Sequence, residues 1–489
     1  MNPTLRLSLA VAIAAIAGCD DATEPTPNPC VVTPGSCTAQ LNADITASRT
    51  LHADTVYSLT SYVHVTGNGT VLTIEPGTVI EGSTGSALFI LQGAQIQANG
   101  TAAAPIVFTS DQPVGNRKPG DWGGLIIVGR GIINRSGTVD LEGTGTGGSN
   151  TVVSYSGGSS NTDNSGTLRY VRVEFAGFGA APNQELNSFT FAAVGSGTTV
   201  EYLEALAGFD DSFEWFGGAV DGKYLVSYEA GDDHFDAAEG YIGRNQFLIG
   251  FQSRIIPPRA NSGTPSTDPQ GFEIDGCGSA SGSGCDLGYN STPRNAPLFA
   301  NFTMVGTGVN TDVAATSGGI GMVLRRGTQG MYVNGIVARW PRAAISLRDA
   351  DTQSQFTGGT NLLTNVLVVE AGTTAGTNSP VFEGGTACPT APATVCRFTI
   401  DATAANFMTA AGAITAASVF ATLPATPASA AALDWSLPVG SPGRTGGTGT
   451  FAGALATKGG TFITGTAYVG AADPAGTKWW EGWTYYAIN

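Results

Sequence analysis

The sequence predicts an all-β chain wound as a right-handed parallel β-helix, a solenoid with a small C-terminal cap containing short helices. Three observations predict it. Between residues 200 and 243 the chain says nearly the same thing twice: Glu201-Tyr202-Leu203, Gly208, Asp210, Asp211 and Phe213 are matched by Lys223-Tyr224-Leu225, Gly231, Asp232, Asp233 and Phe235. Tyr202 to Tyr224, Asp210 to Asp232, Asp211 to Asp233 and Phe213 to Phe235 are each 22 residues apart, a fixed period that marks one coil per repeat. Elsewhere apolar residues alternate or run in short blocks with Gly or Pro at the corners, pieces too short for helices. Charged residues make up 12% of the chain, about half the usual ~25%, while glycine reaches 69 residues, as many short strands and tight turns require.

Taken in order, residues 1–18 carry one charged side chain, Arg6, and an apolar run from Leu7 to Ala17. The run is shorter than the ~20 residues that span a bilayer and reads as a secretory signal. Ile16-Ala17-Gly18-Cys19 resembles the lipobox of bacterial lipoproteins. That resemblance implies cleavage before Cys19, lipidation of Cys19, a membrane partner through the lipid, and a cell-envelope address at the outer membrane or cell surface. Residues 20–50 are rich in Pro, Thr, Asp and Ala without apolar periodicity, the composition of a tether. The expected organisation is therefore signal 1–18, tether 19–50, parallel β-helix 51–400 and C-terminal cap 401–489.

Within the β-helix, Val71-Leu72-Thr73-Ile74, Thr78-Val79-Ile80, Ala87-Leu88-Phe89-Ile90 and Ile106-Val107-Phe108 read as successive strands. A phrase beginning Arg169-Tyr170-Val171 returns at Lys223-Tyr224-Leu225, and looser copies place Asn301, Asn334 and Asn365 at spacings of 33 and 31. Asn or Tyr at one corner of every coil is expected to stack into a ladder, Asn satisfying backbone groups at the bend. Inserts at 255–271 and 276–295 are expected on one face, often the binding face of a solenoid. The alanine-rich segment 401–433 predicts one or two short helices over the open end of the stack. Trp479, Trp480 and Trp483 are expected beneath the last coil, with a sugar-stacking platform as the sharper alternative.

With Cys19 assigned to lipid, six cysteines fall into local pairs, Cys30 with Cys37, Cys277 with Cys285, and Cys388 with Cys396. Read as disulfides in an oxidising compartment, each closes a short loop and stabilises by at most ~2–3 kcal/mol. No CxxC occurs, and His52, His64 and His234 lie far from these pairs. The formal charge of −16 argues against nucleic acid as a partner. No phosphate-binding glycine loop, serine-histidine-acid arrangement or haem motif is present.

Leu72-Thr73-Ile74-Glu75-Pro76-Gly77-Thr78-Val79-Ile80, Gly120-Asp121-Trp122-Gly123-Gly124, the run from Asp210 to Gly218 and Trp480-Glu481-Gly482-Trp483 together resemble a family of uncharacterised bacterial secreted and surface proteins with β-helical repeats. The resemblance spans residue 51 to the end and implies the fold and the surface address, with no activity to carry over.

The candidate site is the doubled stretch. One coil per period puts Asp210 under Asp232 and Asp211 under Asp233 at ~4.8 Å, where like charges repel by ~1 kcal/mol in water and ~3–4 kcal/mol at an effective dielectric of 20. Water, loop N–H groups or a bound Ca²⁺ relieves such a ladder. Asp210, Asp211, Glu214, Asp232, Asp233 and Asp236 are the candidate Ca²⁺ ligands, with Glu239 near enough in sequence to join, and Ca²⁺ is the one cofactor expected. Two functions follow. The first is a non-enzymatic, lipid-anchored surface module for adhesion, structure, or binding glycan or a surface protein. The second is a polysaccharide lyase or glycoside hydrolase using the acidic ladder, with Arg254 or Arg259 as the basic partner. His234 is expected as an exposed coil residue, and Phe209, Trp215, Phe216 and Tyr228 as members of internal aromatic ladders rather than sugar platforms.

Overall fold

The computed structural model describes residues 37–145, 151–181, 184–277, 285–308, 318–371, 382–383, 395–399, 405–410 and 415–487. The signal, Cys19 and Cys30 lie outside these residues. Parallel strands stack coil upon coil, as the period predicts. One sheet contains the long strands Gly166–Glu174, Thr199–Leu206, Asp221–Tyr228, Arg244–Phe251, Leu298–Val305, Met331–Ala338 and Leu362–Val369. The other runs from Tyr62–Val65 through Phe189–Ala192, Phe213–Phe216, Phe235–Ala238, Phe272–Asp275 and Ile320–Arg325 to Phe382–Glu383. The 22-residue period is the register itself: Leu203 pairs with Leu225, and Phe213 with Phe235.

Each long strand turns a corner. Gln95–Asn99 pairs with the first half of Gly166–Glu174 and Ile106–Ser110 with the second, leaving Tyr170 unpaired between them at φ 49°. The same left-handed residue recurs as Tyr202, Tyr224, Phe247, Asn301, Asn334 and Asn365. This conformation costs a non-glycine residue roughly 1–2 kcal/mol, less for Asn. Stacking offsets it where the residue is aromatic: Tyr170–Tyr202 and Tyr202–Tyr224 rings lie 4.4 Å apart, and Tyr224–Phe247 5.1 Å. The expected corner ladder is therefore present in both its aromatic and its Asn portions.

Inside, Leu72, Ile96, Leu168, Val200, Phe213 and Phe235 belong to one buried core. Phe189, Phe213 and Phe235 stack at 5.0 and 5.3 Å, and Trp215 stacks on Phe191 at 5.9 Å. Trp215 joins this inner ladder as expected, but Phe216 and Tyr228 face outward, Phe216 buried with Val139, Leu141 and Tyr155 and Tyr228 with Trp435 and Tyr486; these and Phe209 are buried and present no sugar platform.

Three expectations change. Among the described residues strand pairing already includes Cys37–Leu41, which pairs with Thr55–Leu59, so residues 37–50 of the expected tether belong to the β-helix coils. Among the described residues the span 401–433 has the expected short helices, Ala416–Val419 and a 3-10 turn at Ala430–Ala432, but also an unexpected strand, Ala405–Ala410, paired in parallel with Leu362–Val369. A helix at Ala350–Thr357, with Asp349 accepting the Thr352 N–H at 2.7 Å, was not expected within the β-helix.

The C-terminal region also covers a side rather than the open end. It runs back along the corner ladder, where each exposed corner offers it partners. Asn365 donates to Thr448, Asn334 accepts from Thr448 N at 2.8 Å, and Asn301 donates to Thr466 at 2.8 Å. Trp479 packs at 5.2 Å from Tyr224, and Trp483 at 5.6 Å from Tyr170. Trp480 and Trp483 are 2% and 1% exposed, closed to a stacked sugar.

Cys277 and Cys285 form the expected disulfide, and Cys37 is disulfide-bonded. Cys388 lies outside the described residues, so its expected pairing with Cys396 does too.

Candidate metal centre

The strand alternation builds the site. In Phe213–Phe216 the rings of Phe213 and Trp215 enter the core, so Glu214 faces outward. Its register partners on the next two coils are Asp236 and Glu273, giving one outward column of carboxylates.

A second column lies in the turn before these strands. Asn187 Oδ1 accepts the Asp211 N–H at 3.1 Å, Asp211 Oδ1 accepts the Asp233 N–H at 2.8 Å, and Asp233 Oδ1 accepts the Gln270 N–H at 2.5 Å. Gln270 Oε1 then accepts the Ile320 N–H at 2.9 Å. Each side chain thus fastens the backbone of the following coil. Asp210 and Asp232 sit half-buried beside this column, with Ser266 Oγ donating to Asp232 at 2.7 Å.

The columns converge. Asp210, Asp211 and Asp232 bring one carboxylate oxygen each within 4.8 Å of one another, as do Asp211, Glu214 and Asp236, and Asp233, Asp236 and Glu273. All six sequence-predicted ligands belong to these overlapping groups. The inserts flank them: 255–271 leads into the start of Phe272–Asp275 and supplies Ser266 and Gln270, while 276–295 leaves its far end. Val139, Leu141, Val153 and Tyr155 pack over neighbouring coils.

Burial, with mutual repulsion behind it, pushes Asp210, Asp211, Glu214, Asp233 and Asp236 well above the usual carboxylate range. Burial also raises Asp232 to about 6, against the Ser266 hydrogen bond, and Glu142 and Glu273 to about 8. Arg325 is the near cation. It pairs with Glu273, and its Nε lies 2.6 Å from Asp275.

The donors suit Ca²⁺, which takes oxygen ligands in flexible geometry, with no thiolate or imidazole among them. Asp236 Oδ1 is buried without a hydrogen-bond partner, an unmet carboxyl oxygen inside the cluster. Of the residues expected near this chemistry, Glu239 is occupied, accepting from Arg135 and from the Tyr155 hydroxyl, each at 2.5 Å. Arg259 is paired with Asp121 at 2.5 Å, and Arg254 donates its backbone N–H to Glu229. His234 is fully buried rather than exposed; Nδ1 lies 2.5 Å from Ser227 Oγ, and burial lowers its pKa to about 3.

Glu273, Asp275, Glu142 and Asn187 escaped the sequence reading. The signal for Glu273 was there: Phe272-Glu273 repeats Phe213-Glu214 and Phe235-Asp236, displaced from the period by the first insert.

A family model described as a pectate-lyase-like β-helix domain matches residues 43–419. The chain belongs to that family. No curated protein matches. Among solved structures, the crystal structure of pectate lyase Pel9A is similar, with 13% identity, 86% of this chain and 88% of that chain covered, and a TM-score of 0.28. In this pectate-lyase-like β-helix the acidic cluster lies on coils inside the matched span.

Proposed function

We propose that the chain is a lipid-anchored module of the bacterial cell surface that holds Ca²⁺ in its acidic cluster and, through it, binds an acidic polysaccharide. The observation that carries the reading is the convergence of three carboxylate groups, each with its oxygens within 4.8 Å, on the outer face of three successive coils. Such an array without a cation opposes its own deprotonation and repels an anionic glycan. A bound Ca²⁺ reverses the local charge and presents open coordination positions to further hard oxygens. Polyuronates carry such oxygens at every sugar, and the pectate-lyase-like family assignment favours that class. Lipidation at Cys19, which this reading includes, would put the cluster outside the cell, where such chains occur.

The test is calorimetry with Ca²⁺ and Mg²⁺, followed by affinity electrophoresis in gels containing polygalacturonate, alginate or a neutral glucan. Ca²⁺ binding with retardation in an acidic gel, lost in EDTA, is expected. Unchanged melting temperature with Ca²⁺ and with chelator sinks the cation, and retardation by the neutral gel alone sinks the glycan class.

Cleavage is the second reading, favoured by one observation: the half-buried Asp232 carboxyl sits at about 6, in the range of a general acid or base. Against it, Arg325 is held by two carboxylates. Unsaturated products or new reducing ends from the same polymers, abolished by Asp211→Asn and Asp233→Asn, would replace the binding reading with this one.

A further inference from the structure

Away from the acidic cluster, the C-terminal tail lies on the outer face of the long-strand sheet, where Trp435, Trp480, Trp483 and Tyr486 cover Val226, Tyr228, Ile249 and Phe251. We propose that this tail is a strap released by rising pH, with Glu204 as the group whose proton holds it down. The proposal is independent of the ion and the glycan above.

The seam beneath the strap is built from carboxyls. Glu174, Glu204 and Glu229 come from three successive coils and are each at most 1% exposed. Burial of such groups is stable where donors or cations meet them. Glu229 is met: it accepts from Ser253 Oγ at 2.6 Å, Ser253 N at 3.0 Å, Arg254 N at 3.2 Å and the Tyr486 hydroxyl at 2.6 Å. The Ser253 and Arg254 donors belong to the solenoid and stay when the strap leaves. Glu174 has Arg172 Nε at 3.0 Å, and Arg117 acts on it as well.

Glu204 is less well served. Its two oxygens face one donor, the Tyr485 N–H of the strap, at 3.0 and 2.9 Å. The cation beside it, Arg172, is already engaged by Glu174 and donates to Trp483 O at 3.1 Å, with its guanidinium 5.2 Å from the Tyr485 ring. Glu174 and Tyr228 are the other titratable groups facing Glu204, and neither supplies positive charge. Glu174 and Glu204 therefore share Arg172. An ionised Glu204 is favoured where water reaches it, and the strap keeps water out.

The direction of the switch follows. Burial, against the Arg172 charge and the Tyr485 N–H, holds the Glu204 carboxyl well above its ordinary value of 4.5. Undocked and hydrated, the group returns to that value, so docking takes up a proton. Docking is strongest below the ordinary value and weakens as pH rises from there toward the docked one. Release bares Val226, Tyr228, Ile249 and Phe251, an apolar flank that the closed form hides.

The test is hydrogen exchange of the full chain between pH 5 and pH 8, corrected for intrinsic rates, following residues 478–486 against the strands Phe213–Phe216 and Phe235–Ala238. In the wild type, protection of 478–486 should fall by up to about tenfold per pH unit, the equivalent of one proton, while both strands keep theirs. Glu204→Gln keeps an acceptor for the Tyr485 N–H and cannot ionise, so its strap should stay protected across the range. Tyr486→Phe keeps Glu204 and removes one Glu229 donor; its strap should open at lower pH with the wild-type slope. Where Glu204→Gln fails to fold, the wild-type and Tyr486→Phe profiles decide. Strap protection independent of pH in the wild type, protection that falls in strap and strands together, or an equal pH slope in Glu204→Gln overturns the proposal.

Discussion

Asp211 accepts the backbone N–H of Asp233 through Oδ1 at 2.8 Å, so the carboxylate of one coil anchors the backbone of the next. The same side chain contributes an oxygen to two of the three converging groups. Structural and ligand roles therefore separate by substitution. Asp211→Asn keeps an acceptor but removes the charge, and in EDTA its melting temperature should equal or exceed the wild type's because repulsion falls. Its Ca²⁺ affinity should drop at least tenfold. Asp211→Ala leaves a buried N–H without a partner and should lose about 1–3 kcal/mol in urea denaturation. Equal Ca²⁺ affinity in Asp211→Asn and wild type would remove Asp211 from the ligand set.

The raised carboxyls set a pH dependence with a definite sign. Asp232 stands at about 6, and Glu142 and Glu273 at about 8, all above the ordinary values of 3.8 and 4.5. The folded state therefore binds more protons than the unfolded one across this interval, and stability is lost as pH rises through it. Calcium-free protein should show a lower urea midpoint at pH 8.5 than at pH 5. Saturating Ca²⁺, which binds the deprotonated groups, should raise the midpoint far more at pH 8.5 than at pH 5. A calcium-free midpoint that climbs with pH would contradict the burial of these carboxyls.

Two of the three coils that carry the site were legible because nothing interrupts their 22-residue period. Periodicity alone placed Asp211 beneath Asp233 and Phe213 beneath Phe235. Glu273 obeys the same register with Asp236, yet the insert between Phe251 and Phe272 hides it from a fixed spacing. Glu142 and Asn187 come from other loops, and no local pattern announces a side chain that reaches the site from elsewhere. The C-terminal tryptophans were misplaced for a related reason. Their burial follows from side-chain chemistry, but whether they seal an end or a side depends on which surface still has unpaired groups. Here the corner residues at positive φ, from Tyr170 to Asn365, supply that surface.

Trp483 gives the lateral position of the tail a direct check. Its ring meets Tyr170 and Tyr202 edge-on at 5.6 and 6.1 Å, and its carbonyl accepts from Arg172 at 3.1 Å. Trp483→Ala should cost about 3–5 kcal/mol locally. Hydrogen exchange should rise in residues 440–487 and in the corner peptides around Tyr170 and Tyr202, while the Phe213 and Phe235 strands stay protected. Deprotection confined to the last coils would instead return the tail to the end of the stack.

Arg325 competes with any cation for the same carboxylates. It is engaged by Glu273 and Asp275, and Asp236 acts on it as well. Removing its charge leaves those acids without their partner, which for a buried pair costs roughly 3–5 kcal/mol. The same change strengthens the field that draws in a divalent ion. Arg325→Gln should therefore unfold at lower urea in EDTA yet bind Ca²⁺ more tightly, by about tenfold in calorimetry, so that the two forms differ less in stability once Ca²⁺ is saturating. A variant that loses stability and Ca²⁺ affinity together would show that Arg325 organises the carboxylates for the ion rather than competing with it.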